Sequence, residues 1–178
     1  MRFLLLFNVL LLAACSTPPV NRDASIPLTT VASVDVERYQ GRWYEVARYP
    51  NSFERNCEGV FAEYALREDG LISVANTCHE GSVDGKVKVA QGRARVVDAV
   101  TNSKLEVSFF GPFWGDYWII DLATDYSVSI VGEPSGRYLW VLSRAPQIDS
   151  ETRAGIMQTL RAFGYNTDAL YFTAQSPQ

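Results

Sequence analysis

Histidine is almost missing from this 178-residue chain, which has only His79, and cysteine occurs three times. Catalytic designs built on paired histidines, or on a Cys/His metal cluster, therefore lack parts. Surplus positive charge is absent too: 16 Lys+Arg stand against 20 Asp+Glu, for a net charge of −4. No segment concentrates the positive residues, which argues against a nucleic-acid partner. Long apolar runs are missing beyond the first residues, so a multi-pass helical membrane protein is excluded. With 47% apolar and 20% charged residues, disorder and collagen are excluded as well. No nucleophile is paired with an oriented base. Binding rather than catalysis is the expectation, with no metal and no cofactor.

What is present begins with a leader. Arg2 supplies one positive charge, Phe3 to Leu12 is apolar except for Asn8, and Leu12-Ala13-Ala14-Cys15 follows. The run is shorter than the roughly 20 residues that span a bilayer and has the form of a secretory signal. Small residues before a cysteine, with leucine three positions ahead, resemble a bacterial lipoprotein signal in which Cys15 becomes the acylated, palmitate-bearing N-terminus. Ser16 at the next position resembles outer-membrane rather than inner-membrane sorting. Residues 1–14 are thus expected to be a signal peptide. Residues 15–34, with Pro18, Pro19 and Pro27 and no apolar periodicity, read as a flexible tether with an r.m.s. span of roughly 25 Å. The folded domain is expected over residues 35–178, facing the periplasm.

From Asp35 onward short β-rich runs recur at regular spacing, at 43–49, 58–66, 71–78, 86–97, 104–110, 117–122, 126–132 and 137–143. Alternation is clear at Val60, Ala62, Tyr64 and Leu66, and again at Leu105, Val107 and Phe109, which marks single buried faces. Residues 117–122 and 138–142 are apolar on both faces and need outside cover. One amphipathic helix can supply it: Asp149 or Ser150 caps it, Ala154, Ile156, Met157, Leu160 and Phe163 recur at helical spacing, and Gly164 stops it. A short strand at 170–173 ends the chain. Eight strands closed as an all-β, antiparallel up-and-down barrel leave no exposed edge and enclose room for one small ligand.

Gly41-Arg42-Trp43-Tyr44-Glu45 after a helical turn, Thr124-Asp125-Tyr126 between strands six and seven, and Arg144 at the end of strand eight resemble the three signature regions of the lipocalin family. Phe53-Glu54-Arg55, the run from Ser108 to Gly115 and the run from Tyr138 to Arg144 resemble its bacterial outer-membrane branch, whose animal relatives resemble apolipoprotein D. The resemblance covers the whole mature domain. It implies a lipocalin calyx with the C-terminal helix packed outside. In an alternating meander all three signature pieces fall at one end, so that end is the closed base. The loops 50–57, 79–85, 111–116 and 133–136 surround the mouth.

Trp43 and Arg144 are expected to stack at the base in a structural cation–π contact, with Gly41, Thr124, Asp125 and Tyr126 as the other signature residues. Strand phase, together with the resemblance, puts Val60, Tyr64, Val74, Asn76, Val107, Phe109, Tyr117, Trp140 and Leu142 on the ligand wall. Trp114, in a mouth loop, reads as either a ligand gate or part of a subunit interface, the latter implying a homodimer. His79 reads as a solvated loop residue. Cys57 and Cys78 flank a hairpin turning near Glu68-Asp69-Gly70, and mirror pairing brings 57 opposite about 80, close enough for a disulfide in an oxidising envelope. The leading functional expectation is a lipoprotein that binds fatty acids or lysophospholipids for storage or transport in envelope maintenance. The alternatives are a protein-docking lipoprotein and a lipid-modifying enzyme.

Overall fold

A computed structural model describes residues 19–176. The expected signal peptide at 1–14 and the expected acylation site Cys15 lie outside the described residues. The meander runs β1 (Gly41–Arg48), β2 (Cys57–Leu66), β3 (Ile72–Glu80), β4 (Val87–Val96), β5 (Lys104–Ser108), β6 (Gly115–Leu122), β7 (Val128–Gly132) and β8 (Leu139–Ser143). Each strand pairs antiparallel with the next, and β1 pairs with both β2 and β8, which closes an eight-stranded barrel. Closure satisfies the backbone groups that an open sheet would leave at its edges. A short turn of helix, α1 (Val36–Tyr39), precedes β1; the Asp35 carboxylate accepts from Arg38 N at 3.0 Å to cap it.

The two faces of the wall bury two separate clusters. Trp43, Ile72, Val74, Ala94, Leu105, Ile119, Val131 and Leu142 pack inside the barrel. Outside, Val46, Ala47, Tyr49, Ile120, Ile130, Leu139 and Val141 pack against Ile156 and Leu160 of α2 (Ser150–Ala162). This helix is the cover that the doubly apolar strands require; Asp149 caps it through Thr152 N at 2.7 Å, and the chain leaves it at Gly164, where φ is +80°. The terminal strand, β9 (Tyr171–Phe172), pairs with the mouthward half of β1, and Ala174 O accepts from Gly59 N on β2 at 2.8 Å. The C-terminus thus links β1 and β2 where those strands part.

The expected free tether does not extend to Val34. Asn21 N donates to Gly136 O at 3.1 Å, Asp23 N to Gly164 O at 2.9 Å, Val31 N to Ile119 O at 3.1 Å and Val34 N to Thr101 O at 2.7 Å. Residues 19–34 therefore run along the barrel from the mouth end to the base, and Arg22 and Val34 are buried. The backbone hydrogen bonds are joined by side chains at irregular spacing, Arg22 on Phe163 O and Leu28, Val31 and Val34 on the two clusters, which leaves no strand or helix period to be read.

Candidate ligand-binding barrel

The base is built from the signature residues. Arg144 holds its guanidinium 3.9 Å from the centroid of the Trp43 ring and donates to Arg42 O and Arg38 O, both at 2.8 Å. Trp43 is fully buried and donates its indole N–H to Tyr39 O at 2.8 Å. Gly41 adopts a left-handed φ of +86° beside the Arg144 guanidinium, a conformation that L side chains rarely accept. In the β6–β7 turn, which includes Thr124, Asp125 accepts from Ser127 N at 2.9 Å; these Ser127 hydrogen bonds hold its carboxyl below the usual range. Tyr126 accepts at its hydroxyl from Asp35 N at 2.8 Å, and its ring lies 4.0 Å below Arg38.

Above this floor the inner wall changes character. On β4 the inward residues pass from buried Ala94 through half-buried Gly92 to exposed Ala90 and Lys88, so the barrel is filled at the base and accessible toward the mouth. Tyr64, Val74, Val107, Phe109, Tyr117, Trp140 and Leu142 all pack in or against the interior cluster. Asn76 shares the face of Ile72 and Val74; its Oδ1 is buried and finds no hydrogen-bond partner among the described residues. Val60 is buried at the β2 irregularity between Glu58 and Phe61, outside both hydrophobic clusters. In β8, Trp140 and Leu142 belong to the interior and Leu139 and Val141 to the helix side, as period-two alternation requires.

The structure places Trp114 differently from the expectation of a mouth gate. Its half-buried ring lies 4.2 Å from the Arg95 guanidinium carbon and 5.3 Å from that of Arg93. Those arginines alternate with the inward Gly92 and Ala94, so the indole covers the outer wall of β4. His79 likewise belongs to β3 rather than a loop, with Nδ1 3.1 Å from Gly59 O. Cys57 and Cys78 form a disulfide, with Cα atoms 5.3 Å apart.

Two polar groups inside the wall escape strand-by-strand reading. The Tyr39, Tyr64 and Tyr117 hydroxyls and Ser129 Oγ form a chain with contacts of 2.9 to 3.1 Å. Burial pushes the Tyr39 phenol up to about 12 and raises Tyr64 and Tyr117 as well, so all three stay neutral hydrogen-bonding groups. The second group follows from a bulge. Glu45 pairs with Leu142 and Ala47 with Val141, so Val46 is the extra residue, and Arg48 falls on the same inward face as Glu45. Arg48 donates to Glu45 Oε1 at 2.5 Å, Thr173 Oγ1 at 2.8 Å, Glu54 O at 3.0 Å and Cys57 O at 3.1 Å. Burial, and after it the Glu54 carboxylate, push the Glu45 carboxyl up to about 8 against the opposing pull of Arg48. A surface cleft of about 680 Å³ lies beside this pair, lined by Arg48, Glu54, Arg55, Glu58 and Tyr171 among others.

A closed antiparallel barrel, filled at its base and with the inward residues of β4 exposed toward the mouth, has the architecture of a small-ligand calyx. Residues 34–175 match the lipocalin-like domain, and the chain belongs to the lipocalin family. It is 37% identical over 165 residues to the outer membrane lipoprotein Blc of Escherichia coli K12, covering 93% of this chain and 90% of that protein. It is also 36% identical over 154 residues to apolipoprotein D of Macaca fascicularis, covering 79% and 71% respectively. The fold superimposes on insecticyanin from the tobacco hornworm Manduca sexta with a TM-score of 0.68 at 20% identity, over 84% of this chain and 85% of that one. Membership of this family supports a binding protein rather than an enzyme.

Proposed function

We propose that this lipocalin binds fatty acids or lysophospholipids inside its barrel and stores or carries them in maintenance of the cell envelope. The observation that carries the reading is the gradient along β4, from buried Ala94 to exposed Ala90 and Lys88, in a barrel whose inner cluster is apolar and aromatic. A chain of about 15 methylenes gains roughly 12 kcal/mol on burial, before the costs of association and chain ordering. Micromolar affinity then needs no covalent chemistry. Val60, Tyr64, Val74, Asn76, Val107, Phe109, Tyr117, Trp140 and Leu142 are the proposed contacts.

The relatives named outer membrane lipoprotein and the Leu12-Ala13-Ala14-Cys15 sequence support attachment to the outer membrane through an acylated Cys15, with the domain in the periplasm. Mass spectrometry of lipid co-extracted with the protein from its native membrane tests the ligand. Stoichiometric single-chain lipid is expected, and protein free of lipid would favour the docking-module alternative. Radioactive palmitate should label the wild type and not Cys15→Ala; equal labelling of both would refute the anchor.

A further inference from the structure

Phe53 is 62% exposed, Phe110 81% and Phe113 76%, an unusual cost for three phenylalanines in one small domain. Phe53 lies in the β1–β2 loop and Phe110 and Phe113 in the β5–β6 loop, both at the mouth. Phe53 also stacks on Tyr138 of the β7–β8 connection at 5.6 Å, so the aromatic rim is continuous with the wall through Trp140, 5.9 Å from Tyr138. Around the phenylalanines the mouth loops carry Glu54, Glu80, Asp84, Asp116 and Glu133 against Arg55, Lys86 and Arg137, and Lys88 of β4 pairs with Glu80. Among the described residues the rim has no basic patch, so its apolar side chains rather than positive charge would meet a lipid surface.

The N-terminal segment reaches the same end. Asn21 bonds Gly136 in the β7–β8 loop, and Pro19 lines the cleft together with Pro50, Asn51 and Ser52 of the β1–β2 loop. Cys15 precedes Pro19 by four residues, a reach of at most about 14 Å. Acyl chains on Cys15, the anchor proposed above, would thus hold the mouth rather than the base against the bilayer.

We propose that the barrel docks mouth-down on the membrane, with Phe53, Phe110 and Phe113 inserted at the lipid surface, so that a ligand passes between bilayer and calyx without crossing water. The proposal rests on the acylated anchor proposed above. It is tested on full-length, acylated protein in phosphatidylethanolamine/phosphatidylglycerol vesicles. Phe113→Cys and Val100→Cys, the second in the β4–β5 loop at the base and 91% exposed, each add one free thiol for a nitroxide, since Cys57 and Cys78 are bridged. The ratio of oxygen to water-soluble nickel accessibility should be severalfold higher at 113 than at 100 and unchanged by high salt. Equal, aqueous ratios in protein that floats with the vesicles would overturn the docking alone. Failure to float would overturn the anchor and this orientation with it. Spin–spin broadening at 113 without oxygen accessibility would put a second copy over the mouth and also overturn the proposal.

Discussion

Glu54, in the loop after β1, accepts a hydrogen bond from the Trp140 indole at 3.0 Å, which ties the β1–β2 loop to the inner wall of β8. Glu54 also accepts from Asn51 Nδ2 at 2.5 Å, so one carboxylate fixes both the loop and the rotamer of the largest side chain near the opening. Trp140 is thus held as a preformed surface rather than left to fold over an incoming ligand, which reduces the ordering cost of binding.

Trp140→Ala should weaken binding of a lysophospholipid by about 1–3 kcal/mol, the scale of lost aromatic burial, with a modest loss of stability. Arg144→Ala should do the reverse. It exposes one face of Trp43 and removes the donors to Arg38 O and Arg42 O, yet lies about four residues, roughly 13 Å, below Trp140. Ligand titration and thermal melts of both variants decide it: wild-type affinity in Trp140→Ala would mean that this residue does not line the site.

The signature residues and the phase of β8 were legible because each depends on short-range facts, a period of two and a motif at a strand end. Glu45 and Arg48 were not. Strict alternation from Trp43 sends Arg48 outward, and only the extra residue Val46 turns it in beside Glu45. Trp114 escaped for a different reason. Its partners Arg93 and Arg95 are some twenty residues away in sequence, so an aromatic in a mouth loop looked free. The packed course of residues 19–34 rests on main-chain bonds to Gly136, Gly164, Ile119 and Thr101 and on the irregularly spaced side chains Arg22, Leu28, Val31 and Val34, a pattern with no period to read.

Trp114→Ala accordingly should leave ligand affinity within about twofold of wild type, because the ring lies on the outer wall. Its loss uncovers Arg93 and Arg95 and forfeits two cation–π contacts, each worth about 0.5–1 kcal/mol where partly exposed, so the melting temperature should fall by a few degrees. A tenfold loss of affinity would show that the ring swings into the mouth.

Reducing the Cys57–Cys78 bridge should destabilise the domain by about 3 kcal/mol, the loop-entropy scale for some 20 residues, and lower the melting temperature by several degrees. The bridge spans a sequence separation of 21 and joins the start of β2 to β3 beside the parted β1–β2 seam. Melts with and without reductant test this, with Cys57→Ser/Cys78→Ser as the matched variant. Identical melts would show that the β2–β3 ladder alone holds that corner.

Glu45 sets a pH dependence with a defined sign. Its folded carboxyl titrates at about 8, raised first by burial, whereas an unfolded glutamate titrates near 4.3. Between those values the folded chain holds a proton that the unfolded chain has lost. Stability from this group is therefore fully present below about pH 4.3 and is lost as pH rises toward 8, at up to about 1.4 kcal/mol per unit. When Glu45 is neutral, both Nη groups of Arg48 keep acceptors in the Thr173 hydroxyl and the carbonyls of Glu54 and Cys57. Glu45→Gln keeps the shape and a carbonyl for Arg48 but cannot ionise. The wild-type melting temperature should drop relative to that of Glu45→Gln between pH 5 and pH 8, and the two curves should run parallel above about pH 9. Parallel curves across the whole range would mean that Glu45 is already ionised at pH 5 and that the Arg48 ion pair outweighs the cost of burying its charge.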